Sequence, residues 1–152
     1  MRPENPSPAE IPGDVLVVDD KLENLRTIEA LLKEKGYKVR CVPDTKTALE
    51  VAANKPPEIM LLDVLMPDMN GYEVCRALKA RPETERFPII FLTALTEMEN
   101  LVEGFQAGGV AFLSKPVRPE ELLAHVRTHV ELHRARKAIQ NHKELLEQRL
   151  AE

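Results

Sequence analysis

The chain has 152 residues, of which 43% are hydrophobic, and its formal net charge at pH 7 is −4. This size and composition suit one globular domain with some length to spare, and the mixed charge gives no basis for direct nucleic-acid binding. Two cysteines without a C-x-x-C spacing, no secretory leader and no apolar run near the ~20 residues of a membrane span favour a cytoplasmic protein without membrane contact.

Strand-like and helix-like segments alternate along the chain after a proline-rich start. Residues 1–13 contain four prolines and are expected to form a disordered leader. The periodicity and turn residues then predict strands at Val15–Val18, Lys38–Val42, Ile59–Leu62, Ile89–Leu92 and Ala111–Leu113. They predict helices over Leu22–Lys35, from the cap Asp44 to Ala53, and over Tyr72–Ala80, Glu97–Ala107 and Pro119–Glu152.

Five β-α units in regular succession predict an α/β fold with a doubly wound, five-stranded parallel sheet. We expect the flavodoxin-like strand order 2-1-3-4-5, in which the chain reverses direction between strands 1 and 3. Ligands bind at such switch points, outside the C-terminal ends of the strands. A ligand site is therefore expected where the first and third strands end.

Polar residues stand at the ends of four of the predicted strands. They are Asp19, Asp20, Asp63, Thr93 and Lys115. Because parallel strands end at one edge of a sheet, these side chains can meet at one point. Carboxylates suit Mg²⁺, which prefers oxygen ligands and retains several waters. An aspartate can also accept a phosphoryl group as nucleophile, with a hydroxyl and an ammonium on the remaining phosphoryl oxygens.

Each of these residues, taken alone, has a structural explanation. The Asp19-Asp20 pair could cap a helix, Asp63 could belong to a turn, and Thr93 could cap the next helix. Lys115 could be a solvated loop lysine. These structural explanations do not account well for the whole set, because all five residues would have to fall at strand ends by chance.

The motifs V-L-V-V-D-D, L-L-D-V-L-M-P-D-M-N-G, F-L-T-A and F-L-S-K-P resemble the receiver domain of two-component response regulators. The resemblance covers about residues 13–130. It implies that Asp63 is the phosphoacceptor and that Asp19 and Asp20 hold Mg²⁺ with Asp63. It also implies that the backbone carbonyl of Leu65 is a further ligand of the metal.

The same resemblance extends to the residues around the expected phosphoryl group. It implies that Thr93 and Lys115 contact that group and that Phe112 occupies the aromatic switch position. It further implies a cis peptide bond between Lys115 and Pro116. Leu65 and Leu95, both apolar, are expected to keep water away and to prolong the life of the aspartyl phosphate.

The resemblance implies a phosphorylation-activated switch that catalyses only its own phosphorylation and dephosphorylation. A sensor histidine kinase or a phosphotransfer protein would supply the phosphoryl group. The alternative is a small haloacid-dehalogenase-like phosphatase, which also uses aspartate, threonine, lysine and Mg²⁺. Its D-x-D motif would need a second aspartate at position 65, where this chain has leucine. A dimerisation adaptor that ignores phosphate is disfavoured by the intact set of residues.

The last predicted helix is longer than one layer of this fold requires. Its ~34 residues would span ~50 Å at ~1.5 Å per residue, so we assign residues 14–132 to the receiver domain and 133–152 to a helical extension. The extension carries an apolar stripe of nearly coiled-coil spacing, formed by Ala135, Ala138, Ile139, His142, Leu145, Leu146 and Arg149. It is interpreted either as a stem that joins two copies in a homodimer or as a linker to an output domain.

Three histidines recur every four residues on this helix. His125, His129 and His133 have the spacing of metal ligands on one helix face. No carboxylate or cysteine completes a site, and the stripe borders apolar residues. A partly solvated helix face is the preferred interpretation.

Overall fold

The computed structural model describes residues 12–94 and 101–151. Five parallel strands form one sheet in the order β2-β1-β3-β4-β5, which confirms the predicted topology. The strands are β1 (Asp14–Val18), β2 (Lys38–Val42), β3 (Ile59–Asp63), β4 (Ile89–Ala94) and β5 (Ala111–Lys115). The three central strands are apolar on both faces because helices cover both sides of the sheet.

Five helices alternate with the strands. They are α1 (Leu22–Glu34), α2 (Thr45–Asn54), α3 (Gly71–Lys79), α4 (Leu101–Ala107) and α5 (Pro119–Ala151). Helices α1 and α5 pack on one face of the sheet, and α2, α3 and α4 contribute to the core on the other face. The predicted start of the fourth helix at Glu97 and the predicted leader up to residue 11 lie outside the described residues.

Glycine and side-chain caps end and start the helices, and the predicted cap Asp44 is among them. Gly36 follows α1 with a φ of 93°, a left-handed conformation that glycine adopts without strain. Asp44 accepts a hydrogen bond from the Thr47 backbone N–H at 2.7 Å and caps α2. Asn70 and Glu73 form a capping box at the start of α3. The peptide bond between Lys115 and Pro116 is cis, as the resemblance implied.

Helix α5 runs from the C-terminal edge of the sheet to its N-terminal edge and continues beyond it. Leu122, Val126 and Val130 are buried against the sheet. At the N-terminal edge, Arg134 forms a bidentate ion pair with Glu58, the residue before β3, with nitrogen–oxygen distances of 2.6 and 2.9 Å. Helix α5 has 33 residues and spans ~50 Å. Nearly all of its side chains after Arg134 are exposed. Within the described ranges, no helix combines the length and hydropathy that crossing a bilayer requires.

Candidate functional site

Three carboxylates meet at the C-terminal edge of the sheet. Asp19 and Asp20 directly follow β1, and Asp63 is the last residue of β3, the strand next to β1. Each of the three offers a carboxylate oxygen within 4.8 Å of the others. Asp19 is fully buried, Asp63 is 3% exposed, and Asp20 faces solvent. The predicted acidic cluster therefore exists and opens to solvent on the side of Asp20.

Lys115, the last residue of β5, contributes an ammonium group to the cluster. Its Nζ lies 2.7 Å from Oδ1 of Asp63 and 3.5 Å from Oδ2 of Asp19. Strand β5 is two places from β3, so the side chain reaches across the end of β4. Three carboxylates against one ammonium leave the cluster with a formal charge of −2, which favours binding of a cation.

The surroundings shift the pKa values of both members of this ion pair. Burial raises the pKa of the Asp63 carboxyl, and the charges of Asp19 and Asp20 add to the rise, while Lys115 opposes it. Burial alone would lower the pKa of the Lys115 ammonium, but the hydrogen bond to Asp63 and the charges of both aspartates raise it above its ordinary value. Lys115 therefore remains charged, and one lysine does not offset the burial and repulsion at Asp63.

Asp19 is held in place by hydrogen bonds from the start of α1. Its Oδ1 accepts from the Lys21 backbone N–H at 2.9 Å, and its Oδ2 accepts from Nδ2 of Asn24 at 3.1 Å. The N-cap residue of α1 is Lys21, whose side chain makes no capping hydrogen bond. Asp19 is thus oriented toward the cluster rather than serving as the helix cap. Asn24 was not among the predicted site residues, although an amide side chain in the first turn of the helix that follows the aspartate pair is a signal that could have indicated it.

The loop from β3 to α3 is closed tightly over the strand end. Gly71 donates its backbone N–H to the Val64 carbonyl at 2.8 Å. A Cβ at this position would lie 2.5 Å from the Asp63 carbonyl oxygen, so only glycine lets α3 start here. Asp68 accepts a 2.6 Å hydrogen bond from the Thr45 hydroxyl, which ties the loop to α2. The side chain of Leu65, two residues after Asp63, is 55% exposed.

Thr93 is near the cluster, but its hydroxyl points elsewhere. In the strand register Asp63 pairs with Leu92, and Ala94 pairs with Lys115, so Thr93 lies between the two partners of the ion pair. The side chain is 1% exposed and donates to the Ala94 carbonyl at 3.2 Å. Its hydroxyl must rotate before it can contact a group attached to Asp63. Leu95, expected to shield the site, lies outside the described residues.

Phe112 is half-buried in an aromatic cluster on the α4 side of the sheet. Its ring centroid lies 5.2 Å from the rings of Phe91 and Phe105 and 6.3 Å from that of Tyr72. The ring also packs directly on Gly104 of α4, where any Cβ would overlap it. Because Phe105 is 51% exposed, this cluster connects the interior beside β4 to the surface of α4.

The histidine stripe of α5 lies away from the carboxylates. The rings of His125 and His129 stack with their centroids 6.1 Å apart. Burial lowers the pKa of His129, and the neighbouring His125 lowers it further. Over residues 12–94 and 101–151, the acidic cluster is the only group of three or more metal-ligating side chains, and it contains no histidine.

Curated relatives connect this geometry with a known family. The chain matches the family of the response regulator receiver domain over residues 15–127. It is 43% identical over 114 residues to the response regulator PleD of Caulobacter vibrioides, which is 75% of this chain and 25% of that protein. It is 35% identical over 113 residues to the DNA-binding response regulator MtrA of Mycobacterium tuberculosis, which is 74% of this chain and 48% of MtrA. The chain thus spans a quarter to a half of these relatives.

Solved structures agree with this assignment. The chemotaxis protein CheY4 of Vibrio cholerae superposes with a TM-score of 0.73 at 31% identity, covering 78% of this chain and 98% of that one. The receiver domain of Francisella response regulator 1452 superposes with a TM-score of 0.72 at 28% identity, covering 78% and 97%. Sequence family, strand order and the acidic cluster lead to one conclusion: the chain belongs to the response regulator receiver domain family of two-component signalling.

Proposed function

We propose that this chain is a signalling switch in which Asp63 receives a phosphoryl group from a sensor histidine kinase or a phosphotransfer protein. A carboxylate oxygen of Asp63 attacks phosphorus, and the new P–O bond replaces the P–N bond to the donor histidine, whose nitrogen keeps the electron pair. The observation that carries the proposal is the position of Asp63, buried at the switch point between an acidic pair and Lys115. Such a switch would operate in the cytoplasm, where its kinase presents the donor.

The carboxylate cluster fits a Mg²⁺ ion. Its ligand oxygens lie within 4.8 Å of one another and belong to a group of formal charge −2. Asp20 and Asp63 would bind the ion directly, Asp19 through a water, and the Leu65 carbonyl would be a further ligand. When bound, Mg²⁺ supplies neutralisation of the charge on the phosphoryl oxygens.

The protein's own groups have distinct roles in this transfer. Lys115 would move from the carboxylate of Asp63 to a phosphoryl oxygen, and Thr93 would rotate from the Ala94 carbonyl to donate to another. The vacated space beside Thr93 would let the Phe112 ring turn further inward. That movement would alter the surface formed by α4, β5 and α5.

The phosphatase alternative receives no support. The matched family is a receiver family, and position 65, where a D-x-D phosphatase has its second aspartate, carries a half-exposed leucine. A phosphate-independent adaptor would have no use for a buried cluster of three carboxylates and a lysine. The proposed activity is therefore limited to phosphorylation and dephosphorylation of this chain itself.

Phosphorylation by a small-molecule donor tests the assignment directly. The wild type, Asp63→Asn and Asp68→Asn would be incubated with acetyl phosphate and Mg²⁺ and examined by intact-mass spectrometry. Asp68 is an exposed aspartate of the loop that follows Asp63, and asparagine keeps an oxygen that can accept the hydrogen bond from Thr45, so Asp68→Asn is a matched control. We expect about one phosphoryl group per chain in the wild type and in Asp68→Asn, and none in Asp63→Asn. Equal labelling of Asp63→Asn would refute the assignment.

We also propose that residues 14–132 form the receiver domain and that the extension over 133–152 pairs with a second copy. Leu132, Ile139 and Leu146 are seven residues apart and are 42%, 68% and 44% exposed, the spacing of a coiled-coil seam. In a parallel pair, Leu145 of one copy would flank Leu150 of the other, which places apolar groups beside the seam. A projecting helix of this length is marginal in water without such packing.

Light scattering tests this pairing. Ile139→Glu should weaken dimerisation of the full chain, whereas Gln148→Glu, the same new charge on the other side of the helix, should leave it unchanged. Both are compared in the beryllofluoride-bound form. Monomeric wild type at high protein concentration would leave the extension as a linker to an output domain.

A further inference from the structure

A polar cleft lies at the N-terminal edge of the sheet, opposite to the C-terminal edge that holds Asp63. It has a volume of about 260 Å³ and is lined by Arg86, His133, Arg136, Lys137 and Gln140. Arg86 comes from the segment between α3 and β4, close to the start of β4. The other four residues follow the i, i+3, i+4, i+7 pattern and therefore share one face of α5. The cleft thus joins the body of the domain to the root of the extension.

The cations of this cleft lack the counter-charges that neighbouring cations have. Arg127 and Arg134, on the same helix, each pair with a glutamate. By contrast, Arg86, Arg136 and Lys137 form no ion pair with any carboxylate among residues 12–94 and 101–151. Three cationic side chains therefore line one cleft, and none of them forms an ion pair with a carboxylate of the described residues.

Two nearby carboxylates accept hydrogen bonds, and a further ammonium adds to the positive charge around the cleft. Glu58 is held by the two hydrogen bonds of Arg134, and Glu144 accepts from Gln140 at 3.0 Å on the distal side of the cleft. Lys79 donates to the backbone carbonyls of Glu85 and Phe87 at 2.9 and 2.7 Å, which holds its ammonium within electrostatic reach of Arg136. The four cations Arg86, Arg136, Lys137 and Lys79 outnumber the carboxylates of Glu85 and Glu144, so the surroundings of the cleft carry a net positive formal charge.

Burial and the charges around the cleft shift the pKa of His133. Burial lowers the pKa of its imidazole, and the positive charges of Lys137 and Lys79 lower it further, against Glu58 and a hydrogen bond with the Arg86 backbone. The neutral ring is the favoured form near pH 7. It connects the α3–β4 segment to α5 without adding a further charge.

We propose that this cleft binds a phosphate-bearing anion. Two guanidinium groups suit phosphate because each can donate two parallel hydrogen bonds to its oxygens, and the Lys137 ammonium adds a point charge. The Gln140 amide has a second N–H beside the one that Glu144 accepts. The volume is below the ~300–1,000 Å³ of sites for drug-sized ligands, so the bound part is a phosphate or diphosphate group.

Binding here would affect the extension. Arg86 belongs to the folded domain, whereas Arg136 and Lys137 stand at the root of the projecting part of α5. An anion held by both would tie the root to the domain and hold its direction. Because each residue turns ~100° around a helix, Arg136 lies only about 60° around α5 from Ile139. The cleft therefore borders the proposed seam, so an anion bound to Arg136 would lie beside a paired second copy.

Calorimetric titration of the full chain with inorganic pyrophosphate tests the proposal. It is performed at constant ionic strength and with EDTA, so that the acidic cluster around Asp63 cannot bind pyrophosphate through a divalent ion. The double variant Arg86→Gln/Arg136→Gln is compared with Arg26→Gln, an arginine on the exposed surface of α1. A second titration with a nucleoside diphosphate distinguishes a nucleotide ligand from a free phosphate source, since only the former gains from the nucleoside.

We expect saturable binding to the wild type and to Arg26→Gln, and at least tenfold weaker binding to the double variant. Amide shift changes in the complex should cluster around Arg86 and His133 and spare the residues near Asp63. Equal affinity of the double variant, equal weakening by Arg26→Gln, or no saturable binding to the wild type would each overturn the proposal.

Discussion

The ion pair between Glu58 and Arg134 should stabilise the fold more than any exposed pair on α5. Two hydrogen bonds of 2.6 and 2.9 Å join the two side chains, which are only 29% and 31% exposed. Glu58 also accepts from the backbone N–H of Asp14 at 3.2 Å, so its carboxylate is held from both sides. Separating the pair would leave a half-buried charge with fewer partners.

The expected energy follows from this geometry. Exposed ion pairs contribute about 0.2–1 kcal/mol, whereas hydrogen bonds to charged groups contribute about 1.5–3 kcal/mol. A bidentate pair of intermediate exposure should therefore show a coupling of about 1–2 kcal/mol. Arg127 and Glu131 provide the control, because they are 76% and 65% exposed and 3.4 Å apart. Their coupling should not exceed about 0.5 kcal/mol.

The assay is a double-mutant cycle by urea unfolding, with each residue of the two pairs replaced by alanine singly and together. The hydrogen bond from Arg134 holds the pKa of Glu58 below its ordinary value of 4.5, against the effect of burial. A carboxyl with a lowered folded-state pKa contributes stability above the unfolded-state pKa and loses it as the pH falls through the folded value. The coupling should thus be constant from pH 6 to 8 and decline below about pH 4.

Two outcomes would refute this reasoning. One is a coupling at pH 7 no larger than that of Arg127 and Glu131. The other is a coupling that persists at pH 2, since a protonated Glu58 cannot form the ion pair. Either result would mean that the direction of α5 depends on its apolar contacts alone.

Three further predictions concern the site and the switch. Mg²⁺ at 100 times its dissociation constant should raise the free energy of unfolding by about 2.7 kcal/mol, and Asp19→Asn should require more Mg²⁺ for the same thermal shift; identical titrations would contradict the metal assignment. Lys115→Met removes the cation that opposes the raised pKa of Asp63, so carboxyl NMR should report a still higher value and acetyl phosphate should label the variant more slowly; an unchanged pKa would disprove this role. Gly104→Ala should destabilise the fold by about 1–3 kcal/mol because its methyl group overlaps the Phe112 ring. Most of this cost should disappear in a Phe112→Ala background, which is measured by thermal unfolding of the wild type, the two single variants and the double variant. An equal cost of Gly104→Ala in both backgrounds would contradict the overlap.

The sequence by itself determined the fold and the identity of the cluster. Buried parallel strands appear as short apolar runs, and their ends are marked by the polar residues that follow, so Asp19 and Asp63, directly after their runs, and Lys115, after Ser114, could be located without coordinates. General rules of connection leave few topologies and favour the order 2-1-3-4-5, which the structure confirms and which brings these strand ends to one edge. Local signals of this kind survive in the sequence because they depend on neighbouring residues only.

Only the tertiary structure decided which distant side chains pair and where each polar group points. Glu58 and Arg134 are 76 positions apart, and nothing in their local surroundings indicates a contact. The Thr93 hydroxyl donates to its neighbour's carbonyl, because a buried hydroxyl takes whichever acceptor the packed strand offers. Arg86 faces the root of α5 only because that helix crosses the sheet to its N-terminal edge. Pairings and rotamers result from the packing of whole elements, which no short stretch of sequence encodes.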